Sequence, residues 1–113
     1  WINSNLSSNF KIYSGGDIPP QYRRIGQIVF LRGVVSPART LSGSTDTFEI
    51  FTLPEGFRPG RTAYCLCQGS SKNTWLLTVS MSGTVNFSRY GTTSVASAGT
   101  DVWLPFNFSY CVS

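Results

Sequence analysis

The residues able to do chemistry are few, and the most telling is one that does not occur. The 113-residue chain has no histidine. That removes the commonest general base, the commonest metal ligand and every His-based nucleophile triad. Catalysis without histidine would most naturally use two carboxylates, and the candidates are Asp17, Asp46, Glu49, Glu55 and Asp101. Asp17, Glu55 and Asp101 sit among turn residues, where carboxylates usually cap backbone groups. Asp46 and Glu49 are three apart in a predicted strand and so point to opposite faces. No pair is presented by local structure, so the chain reads as a non-enzyme with no catalytic residue.

Cys65, Cys67 and Cys111 are an odd number for a disulfide framework, and a C-x-C spacing lacks the reach of a zinc knuckle. In a strand Cys65 and Cys67 share a face with Ala63 and read as small core groups. Reduced thiols suit synthesis in a bacterial cytoplasm. Gly15-Gly16 lacks the following helix and Lys-Ser/Thr of a phosphate-binding loop. Neither a metal nor a cofactor is expected.

Binding chemistry remains. Sugars offer apolar C–H faces and hydroxyl edges, so their sites pair an aromatic platform with amide, carboxylate or guanidinium partners. Such residues gather around one predicted hairpin. Trp75 enters the first strand from a polar loop containing Lys72 and Asn73, and Thr78 follows on the same strand. Asn86, Arg89 and Tyr90 lie on the return strand. A Ser82-Gly83 turn would bring Trp75 and Tyr90 to the open end of the hairpin. The binding residues around this hairpin are therefore Asn73, Trp75, Asn86, Arg89 and Tyr90, with Lys72 beside them. A competing reading makes Trp75 and Tyr90 core or subunit-interface aromatics. Trp1 and Trp103, each flanked by apolar residues, read as structural.

The elements that must position these residues are strands. Val, Ile, Thr, Phe, Tyr and Trp fall in short runs punctuated by Gly, Pro, Ser and Asn. Strands are predicted over 10–13, 22–25, 27–36, 47–53, 62–68, 74–81, 84–90 and 102–112, as in an antiparallel β-sandwich or barrel. In 27–35 both alternating sets are apolar, Ile28, Phe30 and Val34 against Val29, Leu31 and Val35. This fits a central strand or a face packed on another subunit. Leu53-Pro54-Glu55-Gly56-Phe57-Arg58-Pro59-Gly60 is too rich in Pro and Gly for a strand and is predicted to cross between sheets. Residues 14–20 and 92–100 are predicted to be loops, the latter exposed. Asn107, inside a predicted strand, is a poor glycosylation acceptor despite its Asn-Phe-Ser match.

The length suits one domain, 1–113. Charged residues are only 12%, about half the usual share, so solubility must rest on hydroxyls and amides or on burial against partner chains. The net charge of +4 comes from dispersed Lys and Arg with a single adjacent pair, Arg23-Arg24. Nucleic-acid binding would show a denser basic cluster, whereas mild attraction to an anionic glycan fits. No stretch approaches the roughly twenty apolar residues that span a bilayer, so no membrane insertion is expected. The start at Trp1, without Met or a signal-peptide pattern, reads as a piece of something longer.

Four motifs together carry a resemblance. YRRIGQIVFLRGVV, FTLPEGFRPGR, LLTVSMSGTV and VWLPFNFSY resemble the C-terminal receptor-binding head of tail-fibre and baseplate proteins of siphophages that infect Gram-positive bacteria, including the lactococcal group. The resemblance covers roughly 20–112, with 1–19 as a lead-in. It implies a homotrimeric β-sandwich or barrel head in the virion, at the tail tip or baseplate. Such a head adsorbs to host cell-wall saccharide without cleaving it, and a preceding N-terminal region would join it to other tail proteins. It places ligand contacts on or near Trp75, Thr78, Asn86 and Arg89, and makes Leu53, Pro54, Gly56, Arg58 and Pro59 architecture. The alternatives are a purely structural trimerisation domain of the tail and, last, a cell-wall glycan hydrolase.

Overall fold

The computed structural model describes residues 1–13, 18–92 and 95–113. Every regular element among them is a strand: β1 (Ile2–Asn3), β2 (Phe10–Ile12), β3 (Gln21–Ile25), β4 (Ile28–Pro37), β5 (Leu41–Ser42), β6 (Phe48–Thr52), β7 (Ala63–Gln68), β8 (Thr74–Val79), β9 (Thr84–Gly91), β10 (Ser97–Ala98) and β11 (Leu104–Cys111). All pairings are antiparallel. One sheet runs β1-β3-β4-β11, with β2 also on β4; the other runs β6-β9-β8-β7; β5 and β10 form a short ribbon. The two sheets curl towards each other as a half-barrel.

Each predicted strand has a counterpart. The three additions, β1, β5 and β10, are two-residue pairings too short to show periodicity. β10 also corrects the expectation of an exposed loop over 92–100, because Ala98 is fully buried. The predictions on Gly15-Gly16, on Asp17 and on the first half of the 14–20 loop lie outside the described residues.

Alternation explains the core. Along β4, Val29, Leu31 and Val35 are fully buried while Ile28, Phe30, Arg32 and Val34 face outward and are half-covered. β4 is central, with β3 and β2 on one side and β11 on the other. Aromatic contacts knit the sheets together: Phe10 meets Phe87 edge-on with ring centres 5.5 Å apart, and Trp75 meets Phe106 at 6.4 Å and 89°. The lead-in joins this core through Phe10, and the Ser7 N–H donates to the Ile50 carbonyl at 2.8 Å, covering the outer edge of β6. Such covering blunts an edge that would otherwise invite pairing.

The Pro/Gly segment 53–60 does not pass between sheets. It joins β6 to β7, the two edge strands of the same sheet, and closes one end of the barrel. Leu53 and Pro59 are buried there, the Arg58 Nε donates to the Leu53 carbonyl, and the Tyr110 hydroxyl donates to the Phe57 carbonyl. The β8–β9 turn is locked to this end by Leu53 N–H to Gly83 O at 2.8 Å. Gly83 has φ +91°, and a Cβ there would lie 2.6 Å from the Leu53 oxygen and 2.8 Å from the Arg58 Nε. Gly83→Ala should therefore cost about 2–4 kcal/mol. Gly26→Ala, with φ +61° but no atom within 4 Å, should cost only about 1 kcal/mol. Thermal midpoints of the two variants check the contrast; equal midpoints would contradict it.

Candidate functional site

The β8–β9 hairpin divides the six predicted ligand-binding residues between two faces of its sheet. Trp75 lies on the inner face and is fully buried. Its indole N–H donates to the Gln68 carbonyl at 3.0 Å, and its ring packs on Phe87 at 5.4 Å. No indole face is open to a ligand, so the competing core reading describes Trp75 and the platform reading does not. Thr78 and Asn86 sit directly opposite each other on the outer face, in a row with Tyr64 and Glu49. Arg89 is exposed with φ +57° where the β8–β9 register shifts, and its backbone N–H donates to Ser44 O at 3.0 Å. Residues on opposite faces of one sheet cannot line a single cleft.

Asn73 and Tyr90 do come together, at the end of the barrel opposite the Pro/Gly segment. The 69–73 turn between β7 and β8 is built by Asn73, whose amide donates to Ser70 O at 2.9 Å. Gly69 lets the Tyr90 ring pack against this turn, because a Cβ there would lie 2.6 Å from Tyr90 Cε1. Burial pushes the Tyr90 phenol up. Hydrogen bonds from the Asn73 side chain and the Ser70 backbone oppose that shift, and the nearby Asp101 carboxylate adds to it. The tyrosine ring is thus core, while its hydroxyl reaches the polar rim.

Two residues on that rim were not expected. The Trp103 backbone N–H donates to Ser70 Oγ at 2.8 Å, and its side chain is 37% exposed. Asp101 is exposed beside it, and Lys72 is exposed on the 69–73 turn. Trp103 was assigned to structure because Val102 and Leu104 flank it. The parity of β11 carries the missed signal: Leu104, Phe106 and Tyr110 are buried, so odd positions point outward. Trp1, read the same way, is also exposed and covers Arg32, with its ring centre 3.8 Å from the guanidinium carbon.

The end of the barrel therefore presents an indole, a carboxylate and an ammonium group from Trp103, Asp101 and Lys72, around a half-buried Asn73 and a buried Tyr90. This set can stack on an apolar sugar face and bond its hydroxyls. Glu49 accepts a bond from Thr52 on β6, and Glu55 is exposed in the opposite closing segment. Cys65 and Cys67 flank the seam between the sheets; burial, then the neighbouring Cys65, pushes the Cys67 thiol up. Among the described residues, no three His, Cys, Asp or Glu side chains gather as a metal site.

No protein-family model matches the chain, and no curated protein matches it. Among solved structures it is similar to the head domain of phage bIL170, from a study of the receptor-binding domains of lactococcal phages. The two are 20% identical, the match covers 100% of this chain and 97% of that one, and the TM-score is 0.66. Over its whole length, the chain has the fold of a lactococcal-phage receptor-binding head domain.

Proposed function

We propose that this domain is the receptor-binding head of a phage tail protein, and that it holds a host cell-wall saccharide at the barrel end formed by Lys72, Asn73, Tyr90, Asp101 and Trp103. The observation that carries the reading is Trp103, a half-exposed indole ringed by polar groups on a fold shared with a phage head domain. In this reading the binding is reversible and without cleavage. Thr78, Asn86 and Arg89 form an outer-face flank that a longer glycan can reach. Tyr64, 64% exposed on the edge strand β7, is a large ring that a homotrimer would cover. Weak single sites would then be raised by multivalency.

Trp103→Ala tests the reading. Binding to purified cell-wall polysaccharide from a panel of lactococcal strains should weaken at least tenfold, about 1.4 kcal/mol, with the thermal midpoint nearly unchanged. Unaltered binding would remove Trp103 from the site. If the wild-type domain binds no polysaccharide in the panel while light scattering shows an intact trimer, a purely structural role in the tail replaces the receptor reading.

A further inference from the structure

A second feature lies away from Trp103, where the two sheets face each other without pairing. β7 and β11 are the edge strands on this side, and between them opens a cleft of about 340 Å³. Ile18, Leu66 and Pro105 supply apolar walls, while Gln68, Arg32 and Asn107 supply polar groups. The volume is in the range of small-ligand sites.

Arg32 distinguishes this cleft from an ordinary gap. It sits directly opposite Asn107 in the β4–β11 ladder, with both side chains on the outer face. The Arg32 Nε donates to Gln21 Oε1 at 3.1 Å, and Gln21 in turn donates to Asn3 Oδ1 at 2.8 Å. The Trp1 ring lies across the guanidinium at 3.8 Å. Two neighbours, Gln21 and Trp1, thus hold the guanidinium by its inner nitrogen and its flat face. Its outer Nη atoms make no bond to any described residue. Arg23, 5.9 Å from the same indole, adds a second positive charge, and no described residue lining the cleft is acidic. A planar guanidinium fixed in this way, with outer nitrogens that bond no described residue, suits two oxygens of one oxyanion.

We propose that the β7–β11 seam is an anion-recognising subsite, in which the Arg32 outer nitrogens and the Asn107 amide take a phosphate or carboxylate carried by a sugar, whose carbon skeleton rests on Leu66 and Pro105. This deepens the saccharide reading and rests on it for the class of ligand. The oxyanion chemistry is shared by a sugar phosphate and a uronic acid, and separate probes distinguish them.

The ¹⁵N-labelled domain is titrated with glucose 1-phosphate, glucuronate and glucose, following the amides of β7 and β11 and the Arg32 side chain. Glucose 1-phosphate or glucuronate should shift these signals with millimolar affinity, and the stronger of the two names the source of the oxyanion. Glucose should be at least tenfold weaker, and added salt should weaken the anionic probes. Arg32→Gln should reduce anion affinity tenfold or more, with Arg32→Lys intermediate because it keeps the charge but loses the fork. Asn107→Ala touches neither Trp1 nor Gln21 and should also weaken anion binding several-fold, so the result does not depend on a variant that loosens the fold. Equal response to glucose, or shifts confined to other surfaces, would overturn the proposal. So would a silent seam in a domain that still binds wall polysaccharide, as expected if a second copy closes the cleft; the receptor reading then stands. If the seam takes an anionic probe while no wall polysaccharide binds, the receptor reading fails and the subsite remains.

Discussion

Trp75→Ala should bring the domain close to unfolding, with a loss of about 3–5 kcal/mol. The side chain is among the largest of the fully buried groups and bridges the sheets, with Phe87 on its own sheet and Phe106 on the other. Truncation would leave a cavity between rings that cannot collapse without moving backbone. It would also leave the Gln68 carbonyl without the indole donor at the 69–73 turn, adding the cost of an orphaned acceptor. Total stability for a domain of this kind is about 5–15 kcal/mol, so one such loss is a large fraction of it. Trp75→Phe keeps much of the volume but removes the indole donor, and should cost about 1–3 kcal/mol. Denaturant midpoints measured at constant m-value check both. A Trp75→Ala domain that melts with the wild type would show that the ring is not core. Binding lost in this variant would report unfolding, whereas loss in Trp103→Ala would report the site.

Alkaline pH should destabilise the fold steeply, led by two buried groups acting in sequence, with the buried Tyr90 phenol acting in the same direction. Burial pushes the Cys67 thiol well above its usual 9.0 and the Tyr110 phenol well above its usual 10.0. In the unfolded chain both groups release their protons at ordinary values, while in the fold both remain neutral. Above pH 9 the unfolded state therefore binds fewer protons than the native one, and stability falls as pH rises. The contribution is fully present below about pH 9. It is lost at up to about 1.4 kcal/mol per pH unit from Cys67, and from about pH 10 at a similar further rate from Tyr110. Between pH 9 and 11 the loss reaches about 4 kcal/mol at most. Cys67→Ala should delay the onset to about pH 10, the usual tyrosine range. Tyr110→Phe should flatten the later phase, at a baseline cost of about 1 kcal/mol for the lost bond to Phe57 O. Urea midpoints between pH 7 and pH 11 measure this, and a flat profile would refute it.

Much of the fold was legible in the residues because strands announce themselves locally. Period-two runs and Gly or Pro breaks placed every strand longer than two residues, with ends shifted by one or two positions. The same local rule put Ala63, Cys65 and Cys67 on one face, and they do face the core together. It could not find β1, β5 or β10, since a two-residue pairing is set by its distant partner and not by its own sequence. The Pro/Gly segment was correctly read as non-strand, yet its route was misread. Composition shows that a chain turns but not which edges it connects.

The candidate site was legible only in part, for a related reason. Asn73 and Tyr90 were rightly placed at one hairpin end, because a tight turn fixes register. Trp75 was drawn into the same site by sequence proximity, although its parity with Leu77 and Val79 sets all three on one face. Which face is buried depends on where the opposite sheet lies, and Phe106, some thirty residues further on, decides it. Trp103 joined the rim through Ser70, again a contact far apart in sequence.

By itself, the sequence determined an all-β chain without histidine or locally paired carboxylates, with a hairpin whose open end is rich in binding side chains. These are properties of composition and short-range geometry, which need no knowledge of distant neighbours. The tertiary structure alone decided that Trp75 is core and Trp103 is surface, and that Arg32 stands pinned beneath Trp1 at the seam between the sheets. Whether an aromatic ring holds a fold together or meets a ligand depends on what packs over it, and that covering comes from chain segments remote in sequence.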